Sequence, residues 1–169
     1  MESKISAIIK MVKAIGPIYQ NSANSVERKH METTIGASLW YGSLKIYSGY
    51  CSKQLLLQQK EAKKWLSKRI SEEHPFPRKL TATKLLLNHE KPQSELEEII
   101  NKGIAINYVT KVENKRLIPF QKEGVFETPE KSYRQAGIEL IYMPIDMIKQ
   151  VRKDISMLNK YCDKFYLKN

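Results

Sequence analysis

Cysteine is scarce in this chain: two in 169 residues, Cys51 and Cys162, far apart in sequence. Two such residues cannot build a disulfide framework, and neither belongs to a close-spaced pair or Cys/His cluster of the kind a zinc site needs. Reduced, partly buried thiols are expected. Glycine is sparse too, with seven residues and no cluster, so no Gly-rich loop is available to cradle a nucleotide phosphate. An HExxH helix, an EF-hand loop and a nucleophile elbow are all missing. No apolar run approaches the length of a membrane span. The first sixteen residues interrupt their apolar positions with Lys4, Lys10 and Lys13, where a signal peptide carries a continuous apolar stretch. Together these absences predict a soluble, cytoplasmic protein without a membrane partner.

What is present is a globular composition with an excess of cations. Apolar residues make up 41% and charged residues 28%, the balance of a chain that can bury a core. Its length suits one domain or two small ones. Twenty-nine Lys and Arg against 18 Asp and Glu give a net charge of +11. A field of that size on a small protein attracts polyanions, nucleic acid (DNA or RNA) before anionic membrane. The plainer alternative is a lysine coat that keeps the surface solvated.

Hydrophobic periodicity organises the chain. Ile5, Ile8, Ile9, Val12 and Ile15 recur at helical spacing, with Gly16-Pro17 as the stop. Ser25 opens a second helix running to about Tyr47, and Ser48-Gly49 breaks it. Ser52 caps a third, KQLLLQQKEAKKWLSKR, which carries Lys60, Lys63, Lys64, Lys68 and Arg69 on its polar face. A short helix, TATKLLLN, takes Thr81 as its cap. Ser94 to Glu97 and Thr110 to Glu113 are capping boxes, in which the hydroxyl accepts from the third helical amide and the carboxylate reaches back. Gly103 ends the first of the two helices they open. Ile104 to Val109 and Ile138 to Met143 read as strands. Thr128-Pro129 and Pro144 start helices, and Gly137 stops one. The fold class is therefore α+β and mostly helical. It has an all-helical first half (subdomain 1–69) and a small sheet with helices in the second (subdomain 70–169), around one continuous core.

Chemistry is concentrated in SEEHPFPRK, Ser71 to Lys79. Imidazole is the readiest base near neutral pH, so His74 is the candidate base. Pro75 and Pro77 stiffen the backbone, and Arg78 and Lys79 are placed to hold a phosphate. Glu73-His74-Pro75-Phe76-Pro77 resembles the acid-His-x-x-Pro signature of HNH-type (ββα-metal) nucleases. The resemblance implies a metal-dependent endonuclease: Glu73 binding one divalent cation, Mg²⁺ or Mn²⁺, and His74 activating the attacking water. Where the family places a second strand, the residues after Pro77 read as helix. The remaining ligand could come from Asn88, His89, Asn107 or Asn114; Asn107 and Asn114 suit a strand-then-helix layout better, and Asn114 is the expected metal ligand beside Glu73. A metal-free alternative pairs His74 with His89 as base and acid. The plain alternative is a histidine that ends an element by bonding a carbonyl. His30 reads as a solvated helix residue.

A second constellation is basic and aromatic. Trp40, Tyr41, Tyr47 and Tyr50 lie near Lys45 and Lys53, and two denser cationic clusters come after them. Lys63, Lys64, Lys68 and Arg69 form the first, and Lys111, Lys115, Arg116 and Lys122 the second. Cations supply salt-sensitive affinity for phosphates and aromatics can stack on bases, although buried aromatics would serve the core instead. The sequence thus predicts a nucleic-acid-binding protein, with cleavage as the activity its resemblance implies. A non-enzymatic binding or inhibitor protein is the rival.

Overall fold

A computed structural model describes residues 2–41, 44–121 and 129–162. Lys122, Thr128 and the side chain of Cys162 lie outside the described residues. The architecture is α+β and mostly helical, with helices dominating the first half and a small mixed sheet of order β2 (Ile70–Glu73), β3 (Ala105–Thr110), β1 (Ile46–Ser52), β4 (Leu140–Tyr142). Contacts divide the chain into two compact units: residues 1–46 with 74–105, and residues 47–73 with 106–169. The units are interleaved in sequence, so the expected boundary near Arg69 falls inside the second one.

The first unit is helical. α1 (Glu2–Asn21), α2 (Ser25–Tyr41), α4 (Arg78–Leu87) and α5 (Gln93–Ile104) pack on one another. Their core contains Ile8, Val12, Ile35, Leu39, Leu85, Leu86, Leu96 and Ile100. Gly16-Pro17 does not stop α1, which runs on with Pro17 inside it. A Cβ on Gly16 would collide with His89, so this glycine serves a close approach rather than a turn. Gly103 is likewise inside α5, where a Cβ would meet Thr81. Thr81 is no cap; it is buried within α4, its hydroxyl donating to the Pro77 carbonyl at 3.2 Å. The cap of α2 is Asn24, whose Oδ1 accepts from the amide of Val26 at 2.9 Å. The Ser94 box does not form: α5 starts at Gln93, whose side-chain amide donates to Glu97 instead.

The second unit holds the sheet. β1 (Ile46–Ser52) occupies residues expected to be the end of a helix and a break, and pairs antiparallel with β4 (Leu140–Tyr142). β2 (Ile70–Glu73) pairs antiparallel with β3 (Ala105–Thr110), Ile70 opposite Thr110 and Glu73 opposite Asn107. On one face Cys51, Leu56, Ile141, Met143, Ile148, Val151 and Leu158 form a core with α3 (Lys53–Glu61), α8 (Ile145–Lys153) and α9 (Met157–Cys162). A smaller core, Leu117, Tyr133, Ala136 and Ile138, involves α6 (Lys111–Leu117) and α7 (Pro129–Gln135). Local signals read correctly here. Ser52 caps α3, the Thr110–Glu113 box caps α6, Gly137 has φ +63°, and α7 and α8 start at their prolines. The expected third helix ends early, at Glu61 rather than Arg69, and the expected last helix breaks after Lys153 before α9.

Candidate nucleic-acid interface

Glu73 closes β2 with its side chain 2% exposed. Its two carboxylate oxygens accept hydrogen bonds from the Tyr133 hydroxyl and the Gln121 side-chain amide. The network extends further: Asn107 Nδ2 donates to the Tyr133 oxygen at 2.7 Å, and Ser48 donates to Asn107 Oδ1. Burial raises the Glu73 carboxyl from its ordinary 4.5 to about 7, and the two donors pull it back part of the way. Burial and the Glu73 charge likewise push the Tyr133 hydroxyl upward.

A divalent cation at Glu73 would have to compete with these two donors for the carboxylate oxygens. Asn114, the expected partner ligand, uses its Nδ2 to donate to Ser71 Oγ at 2.9 Å and so ties α6 to β2. Among the described residues no group of three or more His, Cys, Asp or Glu could hold a metal.

The other residues of the SEEHPFPRK segment, from His74 onward, belong to the first unit. His74 Nδ1 lies 3.3 Å from the Gly103 carbonyl, and its ring is tilted against Trp40 at 5.6 Å. His89 is buried against Gly16, with Nδ1 3.0 Å from the Leu86 carbonyl. Each imidazole therefore serves its own carbonyl, the role anticipated for a histidine that ends an element. Arg78, expected to be catalytic, lies with Cζ 4.0 Å from the Trp40 ring centroid, and Lys79 pairs with Glu32 at 3.5 Å. His30 is exposed on α2, as expected.

The cationic clusters are better assembled. After α3 the chain turns through Lys63 at φ +52°, a left-handed conformation that costs a side-chain-bearing residue about 1–2 kcal/mol. Buried Gln59 then clamps the returning strand. Its Oε1 accepts from the Leu66 amide at 2.6 Å, and its Nε2 donates to the Leu66 carbonyl at 3.5 Å. Arg69 donates to the Gln58 carbonyl at 3.3 Å. Lys63, Lys64, Lys68 and Arg69 are thus presented by a held loop, all exposed. Replacing Lys63 by glycine should relieve the backbone and stabilise the protein by up to about 1 kcal/mol, after the glycine's entropic cost. Urea denaturation checks this, and a loss of stability would contradict the loop geometry.

The β2–β3 register joins this loop to the second cluster. Because Ile70 faces Thr110, Arg69 and Lys111 flank one end of the same antiparallel pair. Glu113 anchors the helix that carries the second cluster. Its Oε2 accepts from the Thr110 amide at 2.9 Å and from Ser52 Oγ at 2.6 Å, linking the caps of α6 and α3. Lys111, Lys115 and Arg116 are exposed on α6. Among the described residues no carboxylate pairs with any of these seven cations. Composition points to both clusters; the Gln59 clamp and the register that joins them have no signature in the sequence.

No membrane-crossing helix is present among the described residues, none being long and apolar enough. Comparison with known proteins finds no matching family, no matching curated protein and no matching solved structure.

Proposed function

We propose that this protein binds nucleic acid through the phosphate backbone, on the surface formed by Lys63, Lys64, Lys68, Arg69, Lys111, Lys115 and Arg116. The observation that carries the reading is the β2–β3 register, which sets Arg69 and Lys111 at one end of the pair, with exposed Lys63, Lys64 and Lys68 in the segment leading into β2 and exposed Lys115 and Arg116 on the helix leaving β3, none neutralised by a described carboxylate. Unpaired cations on a held scaffold release counterions from a polyphosphate, and that release gives affinity without sequence preference. A cytoplasmic location accords with this reading and with the buried, unbridged thiol of Cys51. Cleavage is no part of the proposal, since both oxygens of Glu73 and Nδ1 of His74 are engaged by neighbouring groups.

The test is titration of labelled duplex DNA, single-stranded DNA and RNA, followed by anisotropy with the strands then run on a gel. Binding at about 1–100 µM in physiological salt is expected, with the strands intact in the presence and absence of Mg²⁺. Metal-dependent cutting lost in His74→Ala would restore the nuclease reading. A second reading is favoured by Val112, 72% exposed, and Ile118, 64% exposed, interleaved with the cations of α6. Such a surface also suits an acidic protein partner, which would hold on in salt where nucleic acid lets go.

A further inference from the structure

The cationic loop of the second unit carries an aromatic side chain among its charges. Trp65 stands between Lys64 and Lys68, next to the Leu66 backbone that Gln59 clamps. Its ring is half-buried and packs against the core that contains Cys51, Leu56 and Ile148. Exposed Arg152, from α8, lies over that ring with Cζ 5.5 Å from its centre, and so marks the side that faces solvent. Tyr108 is less available, because Tyr47 stacks on it at 4.6 Å and the same guanidinium reaches it at 5.8 Å.

Arg152 is lightly held. Its hydrogen bond to the Tyr108 hydroxyl is long, 3.4 Å, and it forms no ion pair with a described carboxylate. A cation–π contact at an exposed site is worth about two- to five-fold in an equilibrium constant. Stacking of a nucleobase on an aromatic side chain is worth more, about five- to 150-fold. A base can therefore replace the guanidinium on Trp65. The displaced guanidinium stays within reach of the outer face of that base and of its phosphate, and it suits both. Bases inside a duplex are already stacked on one another, so only an unpaired base can present its face in this way.

We infer that Trp65 is the base-stacking residue of this surface and that single-stranded nucleic acid is the ligand the surface holds best. Phosphates lie along Lys63, Lys64 and Lys68 while one unpaired base stacks between Trp65 and Arg152. The inference rests on the proposed phosphate-binding surface and adds to it a contact that depends on bases rather than on charge.

The experiment compares a ten-nucleotide oligothymidine with an abasic strand of the same length and charge. Binding is followed by anisotropy and, in unaltered protein, by the Trp65 indole signal in a ¹⁵N-correlated spectrum, which needs no variant. The indole N–H of Trp65 is buried without an acceptor among the described residues. Trp65→Phe and Trp65→Leu keep an apolar side chain in that seat and remove the buried donor, so both are suited to fold. Oligothymidine should bind about five-fold or more tightly than the abasic strand and should alone shift the Trp65 signal saturably. That preference should be lost in Trp65→Leu and largely kept in Trp65→Phe. The slope of log K against log salt should be the same for all three proteins, since stacking releases no counterions. Equal affinity for the two strands, a preference that survives in Trp65→Leu, or a Trp65 signal that the abasic strand moves as far, overturns the inference and leaves the phosphate-binding surface standing. Binding of neither strand overturns both.

Discussion

Replacing Lys64, Lys68, Lys115 and Arg116 together by glutamine should weaken binding to duplex DNA by on the order of 100-fold or more at low salt. Each cation that neutralises a phosphate contributes about 0.9 to the slope of log K against log salt, so the slope itself should become shallower by about 3 to 4. All four side chains are exposed and take no part in the described ion pairs. Such surface changes alter stability by about 0.5 kcal/mol or less each, so the thermal midpoint should stay close to the original. The control removes the same charge elsewhere. Lys10, Lys13, Lys29 and Lys102 are exposed in the first unit, and their replacement lowers net charge equally. If the site is local, the control set loses far less affinity and keeps nearly the full slope. Equal losses from both sets would mean that overall charge, rather than this surface, drives binding.

The second large effect concerns Glu73 and stability. Its carboxyl is raised from 4.5 to about 7 in the folded protein, burial being the main cause. Below about pH 4.5 the group is protonated whether the chain is folded or not, and it carries no penalty. Between 4.5 and 7 the folded protein retains a proton that the unfolded chain has released, so stability falls as pH rises. Above 7 both states are ionised and the full loss stands, about 3 kcal/mol for a shift of this size. Glu73→Gln removes the titration. Urea denaturation of both proteins at pH 4 and pH 8 isolates the effect. The stability of the variant relative to the original should rise by about 3 kcal/mol from the acid to the alkaline condition. At pH 4, where the Glu73 carboxyl is itself protonated and also carries a donor, the two proteins should be similar in stability. A difference that does not change with pH would show that Glu73 is not the buried acid described.

The parts of the fold legible in the sequence are those whose chemistry is local. Thr110 and Glu113 stand three residues apart, and their reciprocal bonds need nothing else, so the box that opens α6 reads directly from the chain. Ser52 at the start of α3 and Gly137 after α7 obey the same logic. Where tertiary packing decides, the local signal misleads. Gly16-Pro17 carries the stop signal of a helix end, but Gly16 is small because His89, far along the chain, packs against it. Thr81 has the residue type of a cap and instead lies buried against Gly103. β1 resembles a helix end because its residues, IYSGYCS, carry little alternation; pairing with β4 and the Ser48–Asn107 bond hold it as a strand.

The candidate site divides in the same way. Clusters of lysine and arginine are visible as composition, and their place on the surface reflects the cost of burying charge. Their union depends on the pairing of Ile70 with Thr110, and a strand register is a long-range property. SEEHPFPRK resembles one constellation because its residues are adjacent in sequence. Its side chains instead answer to different neighbours: Glu73 to Tyr133 and Gln121, His74 to Gly103, Arg78 to Trp40 and Lys79 to Glu32. Glu73 thereby becomes a determinant of pH-dependent stability.

The most direct measurement for the central claim is the salt dependence of duplex DNA binding by the unaltered protein between 50 and 200 mM. Seven phosphate contacts predict a log–log slope of about −6 and a fall in affinity on the order of 10³- to 10⁴-fold. A slope near zero, or no binding at the lowest salt, would contradict the assignment of this surface to nucleic acid.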